Sequence, residues 1–485
     1  MKLSDIIAGL EAQRVGNMNP EVSELCFDSR RVKEGCCFVA QVGTQVDGHK
    51  YINDAVAKGA SAVVCEHLPE QTDDRVAYVV VENSDVALGV MADNFFGHPS
   101  RQLKLVGITG TNGKTTTVTL LHRMFRQMGF HAGLLSTIVN KIDDQEVPST
   151  HTTPDAVELN TLLRQMVDAG CQYAFMEVSS HAVVQHRIEG LTFAGAIFSN
   201  ITHDHLDFHK TMANYIAAKK MFFDGLPAEA FALTNRDDRN GMVMVQNTHA
   251  KVRTYSLQQS ADFVCRVMED TFMGLQLELN GKSVWTRLVG RFNAYNLTAI
   301  YATAVLCGVA EDEALRQLST LSAAEGRFQY VSGRGIFAIV DYAHTPDALE
   351  NVLTTINDIR RSSQSLITVV GCGGDRDKTK RPEMAQIACR LSDRIILTSD
   401  NPRTENPEQI LNDMEAGLSS EELGTVLRIT DRRSAIRTAV MMAKEGDIVL
   451  VAGKGHEKYQ DVMGVKHHFD DVEELEKFIQ NNTNL

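Results

Sequence analysis

The chain has 485 residues, of which 43% are apolar and 23% are charged, a composition typical of globular proteins. It carries 48 basic and 62 acidic residues, so its formal net charge is −14 at pH 7. An acidic chain lacks the general attraction to phosphate backbones that a basic one has, and we expect no nucleic-acid partner. At about 150 residues per domain, the length predicts roughly three domains.

The cellular context follows from what the sequence lacks. No apolar run reaches the roughly 18 residues needed to span a bilayer, and the amino terminus has no signal-type apolar stretch. We expect a cytoplasmic protein without stable membrane insertion. The nine cysteines form no CxxC pair, which predicts reduced thiols rather than disulfides or a zinc knuckle. The oligomeric state stays open, with a monomer as one option.

The first segment, residues 1–100, is predicted to form a small α/β domain. Its elements are two β-branched strands and a helix, at 60–64, 76–81 and 85–96. The second segment, residues 101–328, opens with a strand at 104–108, a glycine-rich turn and a helix at 115–128. Alternating strands and helices continue to about residue 325, with strands at 173–178, 195–200 and 231–235.

The third segment, residues 329–485, repeats the alternation. Its predicted strands lie at 335–342, 366–371, 394–399, 427–430 and 447–452. Helices between nearly continuous apolar strands predict parallel sheets that are covered on both faces. Ligands of such sheets bind at the carboxyl ends of the strands, so the polar residues there form the candidate site.

Residues 110–116, Gly-Thr-Asn-Gly-Lys-Thr-Thr, lie between a predicted strand and a predicted helix. Backbone N–H groups and the helix amino terminus at such a turn can hold phosphate oxygens. Lys114 would neutralise the terminal phosphates, and Thr115 would bind magnesium. The strict phosphate-loop pattern requires glycine where this chain has Ile108, so the loop is a variant. A glycine turn without function is the plain alternative.

Glu177 follows the apolar run 173–176 and places a carboxylate at a strand end, where it could hold magnesium opposite the phosphate loop. The residues after it form a polar stretch that includes Ser179, Ser180, His181, Gln185 and Arg187. The residues alone do not distinguish a functional stretch from an ordinary solvated turn and helix start.

The densest polar cluster is Thr-His-Asp-His-Leu-Asp-Phe-His at 202–209. Histidine and aspartate at short spacing are good metal ligands, so a metallohydrolase is a rival hypothesis from another class. The hydrolase order HxHxDH would need histidine directly after Asp207, where Phe208 stands, and a phosphate loop has no role in a zinc hydrolase. Capping or solvation of these histidines is a further alternative.

Four polar segments follow strands of the third segment, at 341–346, 371–376, 400–403 and 453–457. Gly371 and Gly373 imitate a dinucleotide fingerprint, but its third glycine would fall at Arg376, so we expect no nicotinamide site. Together the four segments predict a polar mouth rich in arginine and carboxylate.

The order and spacing of these motifs resemble the Mur ligase family, ATP-dependent enzymes that add amino acids to the cytoplasmic peptidoglycan precursor. The resemblance spans essentially the whole chain. It is carried by TGTNGKTTT at 109–117, HTTP at 151–154, MEVSSH at 176–181, SNITHDHLDFH at 199–209, GRFNAYN at 290–296, EGRF at 325–328 and DYAHTPDAL at 341–349.

The resemblance implies an α/β fold with three domains. These are a small N-terminal UDP-binding domain at 1–100, a central ATP-binding domain with a phosphate-loop ATPase-like parallel sheet at 101–328, and a Rossmann-like amino-acid-binding domain at 329–485. Closure of the domains, with rotation of the third, would assemble the site.

The sequence DNPR at 400–403 resembles the family members that add meso-diaminopimelate. The distal carboxylate of this diamino acid suits the planar fork of Arg403 or Arg376, and its ammonium needs an acceptor, for which Glu457 resembles the family's choice. Lysine has no distal carboxylate and would leave the arginine unpaired. The residues implied for diaminopimelate are Arg376, Asp400, Asn401, Pro402, Arg403, Gly453 and Glu457.

The implied reaction uses ATP, Mg²⁺, UDP-MurNAc-L-Ala-D-Glu and meso-diaminopimelate. ATP would phosphorylate the D-glutamate carboxylate, and the amine of diaminopimelate would attack the acyl phosphate. The residues implied for ATP are Gly110, Thr111, Asn112, Gly113, Lys114, Thr115, Thr116, Asn293, Arg327 and, near the ribose, Asp341. The implied catalytic residues are Lys114, Glu177, His205 and Lys219. The implied magnesium ligands are Thr115, Glu177, His205 and Lys219, the last as a carbamate.

The residues implied for the nucleotide-sugar dipeptide come from two domains. They are Phe27, Ser29, Thr44, Gln45 and Val46 in the first domain, and Thr152, Thr153, Ser179, Gln185 and Arg187 in the second. Thr44 and Phe27 stand where some relatives have histidine and leucine, so the uridine contacts stay open. A lysine-adding Mur ligase and a folylpolyglutamate-synthase-like ligase are the alternative functions, and a non-catalytic binding module is the third.

Overall fold

The computed structural model describes residues 1–16, 19–43, 46–149, 151–202, 204 and 206–480. The chain folds into two compact units. The first comprises Met1–Gly110, Leu121–Phe198 and Ala213–Thr254, and the second comprises Thr111–Leu120, Ser199–Met212 and the chain from Tyr255 onward. The boundaries of the three domains stay a prediction. Among the described residues, no helix is both long enough and apolar enough to cross a membrane.

The amino-terminal part of the first unit is a sheet with helices. Its elements are α1 (Leu3–Ile6), β1 (Gln13–Gly16), β2 (Leu25–Cys26), β3 (Cys37–Val39), α2 (Ile52–Ala57), β4 (Ala62–Cys65), β5 (Ala77–Val80) and α3 (Ser84–Phe95). The strand order is β1-β5-β4-β3-β2, and only the pairing of β1 with β5 is antiparallel within this sheet. The two strands and the helix predicted for this segment are confirmed as β4, β5 and α3.

The next part of the chain carries the predicted strand, turn and helix. Its elements are β6 (Lys104–Thr109), α4 (Lys114–Gln127), β7 (Ala132–Leu135), β8 (Val139–Ile142), β9 (Gln145–Pro148), α5 (Ala156–Asp168), β10 (Tyr173–Glu177), α6 (Ser180–Val184), β11 (Gly195–Phe198), α7 (Leu206–His209), α8 (Met212–Asp224), β12 (Phe231–Asn235), α9 (Gly241–Met244) and β13 (Lys251–Ser256). In the first unit the strand order is β12-β11-β6-β10-β7-β8-β9.

The five strands from β12 to β7 are parallel, and their residues are almost all buried. Burial on both faces explains why these strands read as continuous apolar runs, and the strands predicted at 104–108, 173–178, 195–200 and 231–235 are confirmed. The hairpin of β8 and β9 was not predicted, because its strands are half-polar and only partly buried.

The second unit begins with antiparallel strands. Its elements up to the helices are β14 (Phe263–Thr271), β15 (Gly274–Leu279), β16 (Lys282–Thr286), α10 (Arg291–Leu306) and α11 (Glu311–Leu318). β14, β15 and β16 follow one another without a helix between them. The alternation predicted up to about residue 325 therefore ends at β13, and the central sheet is mixed rather than wholly parallel. Buried and exposed residues alternate along β15 and β16, as in a sheet with one face open to water.

The carboxyl-terminal part of the second unit is a six-stranded sheet with helices. Its elements are β17 (Gln329–Gly333), β18 (Ile336–Asp341), α12 (Pro346–Ile359), β19 (Leu366–Val370), α13 (Lys380–Leu391), β20 (Arg394–Leu397), α14 (Pro407–Glu415), α15 (Ser420–Leu423), β21 (Val426–Arg428), α16 (Arg432–Met442), β22 (Ile448–Ala452), β23 (Tyr459–Val462), β24 (Val465–His468) and α17 (Asp471–Gln480). The strand order is β17-β18-β22-β19-β20-β21, and only β17 is antiparallel to its neighbour in this sheet.

The five strands predicted for this segment are confirmed as β18, β19, β20, β21 and β22. Their carboxyl ends meet at one edge of the sheet, so the polar segments that follow β18, β19, β20 and β22 share that edge. The short hairpin of β23 and β24 was not predicted, and it packs beside the segment that follows β20 through a bridge between Arg403 and Val462. The fold therefore has the α/β class that the sequence predicts.

Candidate active site

The phosphate loop in the second unit is held by the segment that follows β11. The Thr111 N–H donates to the carbonyl of Asn200 at 2.8 Å, and the Asn112 N–H donates to the Asn200 side chain at 2.9 Å. The hydroxyl of Ser199 donates to the Asn112 carbonyl at 2.7 Å. The main-chain groups of the loop are therefore held by one main-chain bond and by the side chains of Asn200 and Ser199. The helix that follows the loop starts at Lys114.

Gly113 lies where only glycine fits. Its φ is +89°, and a Cβ atom there would come within 2.4 Å of Oδ1 of Asn296. Asn296 is fixed in turn, because its amide donates to Oδ1 of Asn293 at 3.1 Å. The amide of Asn293 donates to the Val289 carbonyl at 2.8 Å. Asn293, which is predicted to bind the nucleotide, is thus hydrogen-bonded to Asn296, the residue that Gly113 of the loop approaches closely.

Lys114 and Thr115 occupy the first turn of α4. The ammonium of Lys114 donates to the Thr111 carbonyl at 2.8 Å. Thr115 is buried, as is Thr116 after it, and its hydroxyl accepts from Nη2 of Arg327 at 3.3 Å. The structure therefore brings together residues predicted from two separate motifs, Thr115 of the phosphate loop and Arg327. A lysine and an arginine beside a helix amino terminus form a cationic place suited to phosphate oxygens.

A chain of side-chain contacts links the phosphate loop with the end of β22. The guanidinium of Arg327, which bonds Thr115, lies 4.7 Å from the ring centre of Tyr342. The Tyr342 and His456 rings are 4.8 Å apart, and His456 precedes Glu457 in the sequence. Burial lowers the pKa of His456 to about 3, so this ring is neutral at physiological pH. Contacts within the second unit thus run from the predicted nucleotide residues Thr115 and Arg327 to His456, the sequence neighbour of the predicted amino-acid residue Glu457.

Asp341 ends β18 and is buried. Its Oδ2 accepts from the Phe328 N–H at 2.6 Å. Burial raises the pKa of Asp341 to about 6, although the Arg327 charge and the backbone N–H groups of Phe328 and Ala343 act in the opposite direction. A carboxylate that is costly to ionise suits a site where a ligand supplies further hydrogen bonds.

The cluster at 202–209 bonds to the carboxyl-terminal part of the second unit. The Thr202 hydroxyl donates to Oδ2 of Asp347 at 3.0 Å, and the Asn112 amide donates to the same oxygen at 2.6 Å. Asp204 forms an ion pair with Lys380 at 3.0 Å. The Asp204 carboxylate of the cluster is therefore neutralised by the Lys380 ammonium.

Two histidines of this cluster, His203 and His205, lie outside the described residues. The predicted role of His205 as a catalytic residue and magnesium ligand stays a prediction, as does the metallohydrolase alternative. His209, the last residue of α7, is buried.

Glu177 ends β10 in the first unit, next to β6, with which it is paired at Ile108. It is fully buried, and its Oε1 accepts from the N–H and the hydroxyl of Thr137 at 2.8 and 3.1 Å. Oε2 is also buried, and it has no hydrogen-bond partner among the described residues. A buried, unpaired carboxylate oxygen is costly, and it is the kind of ligand that magnesium prefers.

The residues predicted for the dipeptide gather behind Glu177. The Thr153 hydroxyl donates to the Glu177 carbonyl at 2.8 Å, and the Ser179 N–H donates to that hydroxyl at 3.1 Å. Arg187 donates to the Thr153 carbonyl at 2.7 Å, and burial lowers the pKa of its guanidinium. Thr152 is bonded to Thr137 at 3.1 Å.

The short helix α6 orders the rest of this group. Its N-cap is Ser179, whose side chain accepts from the Ala182 N–H, and its C-cap is Gln185. The polar stretch after Glu177 is therefore both a cap and a neighbour of the carboxylate. The structure brings Thr152, Thr153, Ser179 and Arg187 together.

Lys219 lies on α8 and is 1% exposed. Its ammonium donates to the Gly110 carbonyl at 3.0 Å and lies 3.5 Å from the Thr109 hydroxyl. It also lies 4.6 Å from the centre of the Tyr215 ring. The neighbouring Lys220 instead pairs with Asp224. Lys219 is therefore directed at the end of β6.

The predicted uridine residues lie in the amino-terminal sheet region. Phe27 packs against its core, and Ser29 begins a short 3₁₀ helix and accepts from Lys58 through its carbonyl at 2.7 Å. Val46 is exposed, and its carbonyl accepts from the Gly43 N–H. Thr44 and Gln45 lie outside the described residues.

The segment after β20 carries the DNPR sequence. Asp400, Asn401 and Pro402 are buried, and Arg403 is half-buried with a left-handed φ of +50°. The guanidinium of Arg403 donates to the Gly374 carbonyl at 2.6 Å. Arg376, the other guanidinium predicted for this site, is exposed. Arg403 is therefore the more firmly positioned of the two.

A second group of residues completes this place. The Asn401 amide donates to Oε2 of Glu457 at 2.6 Å, and burial raises the pKa of Glu457. Gly453 has a φ of +116°, and a Cβ atom there would lie 2.6 Å from Oδ2 of Asp400. Lys454, which follows Gly453 in the sequence, is fully buried and donates to Oδ1 of Asn401 at 3.1 Å.

Several residues of these networks were not predicted to have a role. They include Thr137, Asn200, Asp347 and Lys454. Asn200 and Lys454 stand directly after strands in motifs that the sequence displays, and their strand-end position is a usable signal. Asp347 also lies in a displayed motif, at 341–349, but not directly after a strand, and Thr137 lies in none of these motifs.

Three family models match the chain. They are "Mur ligase family, catalytic domain" at residues 21–96, "Mur ligase middle domain" at residues 108–304 and "Mur ligase, glutamate ligase domain" at residues 326–455. Together they match most of its length.

Full-length relatives agree with these matches. The chain is 56% identical to the UDP-N-acetylmuramoyl-L-alanyl-D-glutamate–2,6-diaminopimelate ligase of Cytophaga hutchinsonii, over 97% of each protein. It is 54% identical to the ligase of the same name from Phocaeicola vulgatus, over 99% of this chain and all of that one. A solved structure with this name is 34% identical and superposes with a TM-score of 0.69 over 96% of both chains. The chain belongs to the Mur ligase family.

Proposed function

We propose that the protein is an ATP-dependent ligase that joins meso-diaminopimelate to the D-glutamate of UDP-MurNAc-L-Ala-D-Glu, a step of peptidoglycan precursor synthesis. The names of the relatives support this substrate pair. The cytoplasmic location that the sequence predicts is part of the same proposal.

One observation carries the proposal. Within the second unit, Arg327 links Thr115 of the phosphate loop to Tyr342, and Tyr342 contacts His456 next to Glu457. A candidate phosphate site and a candidate site for a zwitterionic amino acid are thus connected by side-chain contacts. A ligase that activates an acid with ATP and captures it with an amine needs both.

The reaction has two steps. In the first, the γ-phosphoryl group of ATP passes to the D-glutamate carboxylate, which gives an acyl phosphate and ADP. In the second, the amine of diaminopimelate attacks the acyl carbon, the amide bond forms, and phosphate leaves as the amine loses a proton. Lys114 and Arg327 would neutralise the charge on the phosphoryl oxygens, and this stabilises the transition state more than the ground state.

Magnesium would be held by oxygen ligands, and it would supply further neutralisation of the phosphate charge. The buried Oε2 of Glu177, without a partner among the described residues, fits such a ligand. We keep Thr115, Glu177, His205 and carbamylated Lys219 as the proposed ligands. Carbamylation would turn the buried cation of Lys219 into an anion, which suits a metal ligand.

The amino-acid pocket selects through charge. Arg403 would pair with the distal carboxylate of diaminopimelate, and Glu457 with the ammonium beside it. Lysine has the distal ammonium but no distal carboxylate. The Arg403 guanidinium would therefore stay unpaired, and lysine would bind more weakly. The dipeptide would be held by Thr152, Thr153, Ser179, Gln185 and Arg187, and the uridine by the residues predicted in the first domain.

The test measures ADP formation by the purified full-length protein with ATP, Mg²⁺, UDP-MurNAc-L-Ala-D-Glu and one amino acid at a time. Turnover is expected with meso-diaminopimelate and not with L-lysine at the same concentration. The product should carry one added diaminopimelate residue by mass spectrometry. Equal turnover with lysine would indicate the lysine-adding alternative, and turnover with a folate and glutamate would indicate the folylpolyglutamate-synthase-like one.

A further inference from the structure

Lys454 is a buried cation to which the proposed mechanism gives no role. It follows β22 by two residues and is 0% exposed. A buried ammonium is costly unless it is paired and hydrogen-bonded. Lys454 lies between Gly453 and Glu457, in the segment that follows a parallel strand. Burying its charge there costs stability, which indicates that the residue has a role.

The ammonium of Lys454 has three partners. It donates to Oδ1 of Asn401 at 3.1 Å and to the carbonyl of Tyr459, and it lies 3.6 Å from Oε2 of Glu457. These partners come from the segment after β20, from β23 and from the residues after β22 itself. Lys454 therefore joins three separate parts of the pocket.

The contact with Asn401 fixes the orientation of an amide. Oδ1 of Asn401 accepts from Lys454 and, at 2.9 Å, from the Asp461 N–H. The amide nitrogen must then point the other way, and there it donates to Glu457 at 2.6 Å. If the amide rotated by half a turn, its NH₂ group would face the Lys454 ammonium and the Asp461 N–H, which are both donors. Lys454 therefore fixes the orientation of Asn401 and, through it, the position of the Glu457 carboxylate.

The hairpin of β23 and β24 supports the same segment through its backbone. The Arg403 N–H donates to the Asp461 carbonyl at 3.0 Å, and the Gln460 amide donates to the Asp400 carbonyl at 2.7 Å. Because Lys454 bonds the Tyr459 carbonyl at the start of this hairpin, it also connects the hairpin to the pocket.

The charge of Lys454 acts on Glu457 as well. Burial and the neighbouring Asp400 carboxylate raise the pKa of Glu457, whereas Lys454, Arg403 and the Asn401 amide lower it. The charged and titratable groups that face this carboxylate are Asp400, Arg403, Lys454, Tyr342 and Arg432. Loss of the Lys454 charge would therefore raise the pKa of Glu457 further and leave more of it protonated at a given pH.

We propose that Lys454 is a positioning residue for amino-acid selection, which holds Asn401 and Glu457 in place to receive the distal ammonium of the diamino acid. This inference rests on the proposed function. Lys454 acts through Asn401 and Glu457 and does not itself contact the amino acid. A purely structural brace is the competing explanation, and it would affect all substrates alike.

The experiment compares Lys454→Met, Lys454→Gln and Lys454→Arg with the wild-type enzyme over a range from about pH 6 to about pH 9. The control is Lys466→Met. Lys466 is exposed on β24 and lies 4.2 Å from the ring centre of the same Tyr459, but it belongs to no part of the pocket. The KM values for diaminopimelate, ATP and the dipeptide are measured separately, with the melting temperature.

Lys454→Met is expected to raise the KM for diaminopimelate at least about tenfold near the acidic end, with less than about a twofold change for ATP, because a charge-assisted hydrogen bond is lost. The KM should fall again as the pH rises and Glu457 ionises. Lys454→Gln keeps a donor without the charge, so the pH dependence should remain while the KM at high pH recovers. Lys454→Arg should restore the wild-type pH profile, and Lys466→Met should match the wild type.

Equal increases in all three KM values without a shifted pH profile would overturn the inference and indicate a brace. If Lys454→Met does not fold, the profile of Lys454→Gln decides in its place. A wild-type enzyme that fails to use diaminopimelate would contradict the proposed function instead. If the wild-type enzyme uses diaminopimelate and the Lys454 variants show the wild-type KM and pH profile, this inference alone is contradicted.

Discussion

The phosphate loop and the diaminopimelate pocket are built in contrasting ways. In the loop, Thr111 and Asn112 are positioned mainly through main-chain groups that bond Asn200. In the pocket, Asn401 and Glu457 are positioned by side chains, with Lys454 buried between them. A loop held through its own main-chain groups is expected to keep its shape when one of the loop's own side chains changes. A pocket held by mutually bonded side chains is expected to lose several positions at once.

This contrast predicts which substitutions separate chemistry from selection. In the loop, changing a functional group should reduce catalysis while leaving the rest of the fold as it is. In the pocket, changing one member should weaken the binding of one substrate and leave the others unaffected. The following predictions run from the largest expected effect to the smallest.

Lys114→Ala should remove ADP formation almost completely, a loss of at least about a thousandfold, because the charge that neutralises the transferring phosphoryl group disappears. Single-turnover ADP formation with both other substrates present is the measurement. Lys104→Ala is the matched control, since Lys104 is an exposed lysine at the opposite end of β6. Retained turnover in the Lys114 variant would remove the loop from the mechanism.

Arg403→Ala should raise the KM for diaminopimelate about 10- to 100-fold, because a bidentate pair with the distal carboxylate is lost. Arg403→Lys should restore little, since a lysine keeps the charge but not the planar fork. Initial rates at varied diaminopimelate and varied ATP give the two KM values. Arg390→Ala, which removes an exposed guanidinium paired with Glu350 on the same domain, is the control. Equal increases for ATP and diaminopimelate would contradict the assignment.

How far the sequence predicts these two places follows from their construction. The loop is a contiguous motif between a strand and a helix, so Gly110 to Thr116 could be identified without any long-range contact. The DNPR segment could be identified in the same way from its position after β20. The hydrogen bonds from Lys454 to Asn401 and Tyr459 could not, because the short, half-exposed hairpin that carries Tyr459 has no strong strand pattern.

The antiparallel strands β14 to β16 show the same limit for the fold. Their alternating pattern differs from the continuous apolar runs that indicate the other strands. A prediction of alternating strands and helices from such runs therefore fails across them. Asp347 likewise has partners, Asn112 and Thr202, that lie more than a hundred residues away in the sequence. Contacts of this range depend on packing rather than on local sequence.

Gly113→Ala tests the backbone half of the contrast. The left-handed φ costs a residue with a Cβ about 1–2 kcal/mol, and the new methyl group would meet Asn296. We expect the KM for ATP to rise about tenfold, the equivalent of that strain if it is relieved by moving the loop. The double variant Gly113→Ala/Asn296→Ala should recover part of the loss, since the contact is removed while the strained φ remains. A double variant no better than the single one would show that φ alone decides.

The smallest predicted effect is a pH dependence that originates at Asp341. Because burial raises the pKa of Asp341 to about 6, the carboxyl is protonated below that pH, and one of its oxygens then donates a hydrogen bond where the carboxylate would accept one from the ribose. The KM for ATP should therefore rise a few-fold as the pH falls through about 6. Asp341→Asn should raise the KM for ATP at neutral pH and abolish its acidic rise. If the rise persists in that variant, the titrating group lies elsewhere, and the assignment of Asp341 to the ribose loses this support.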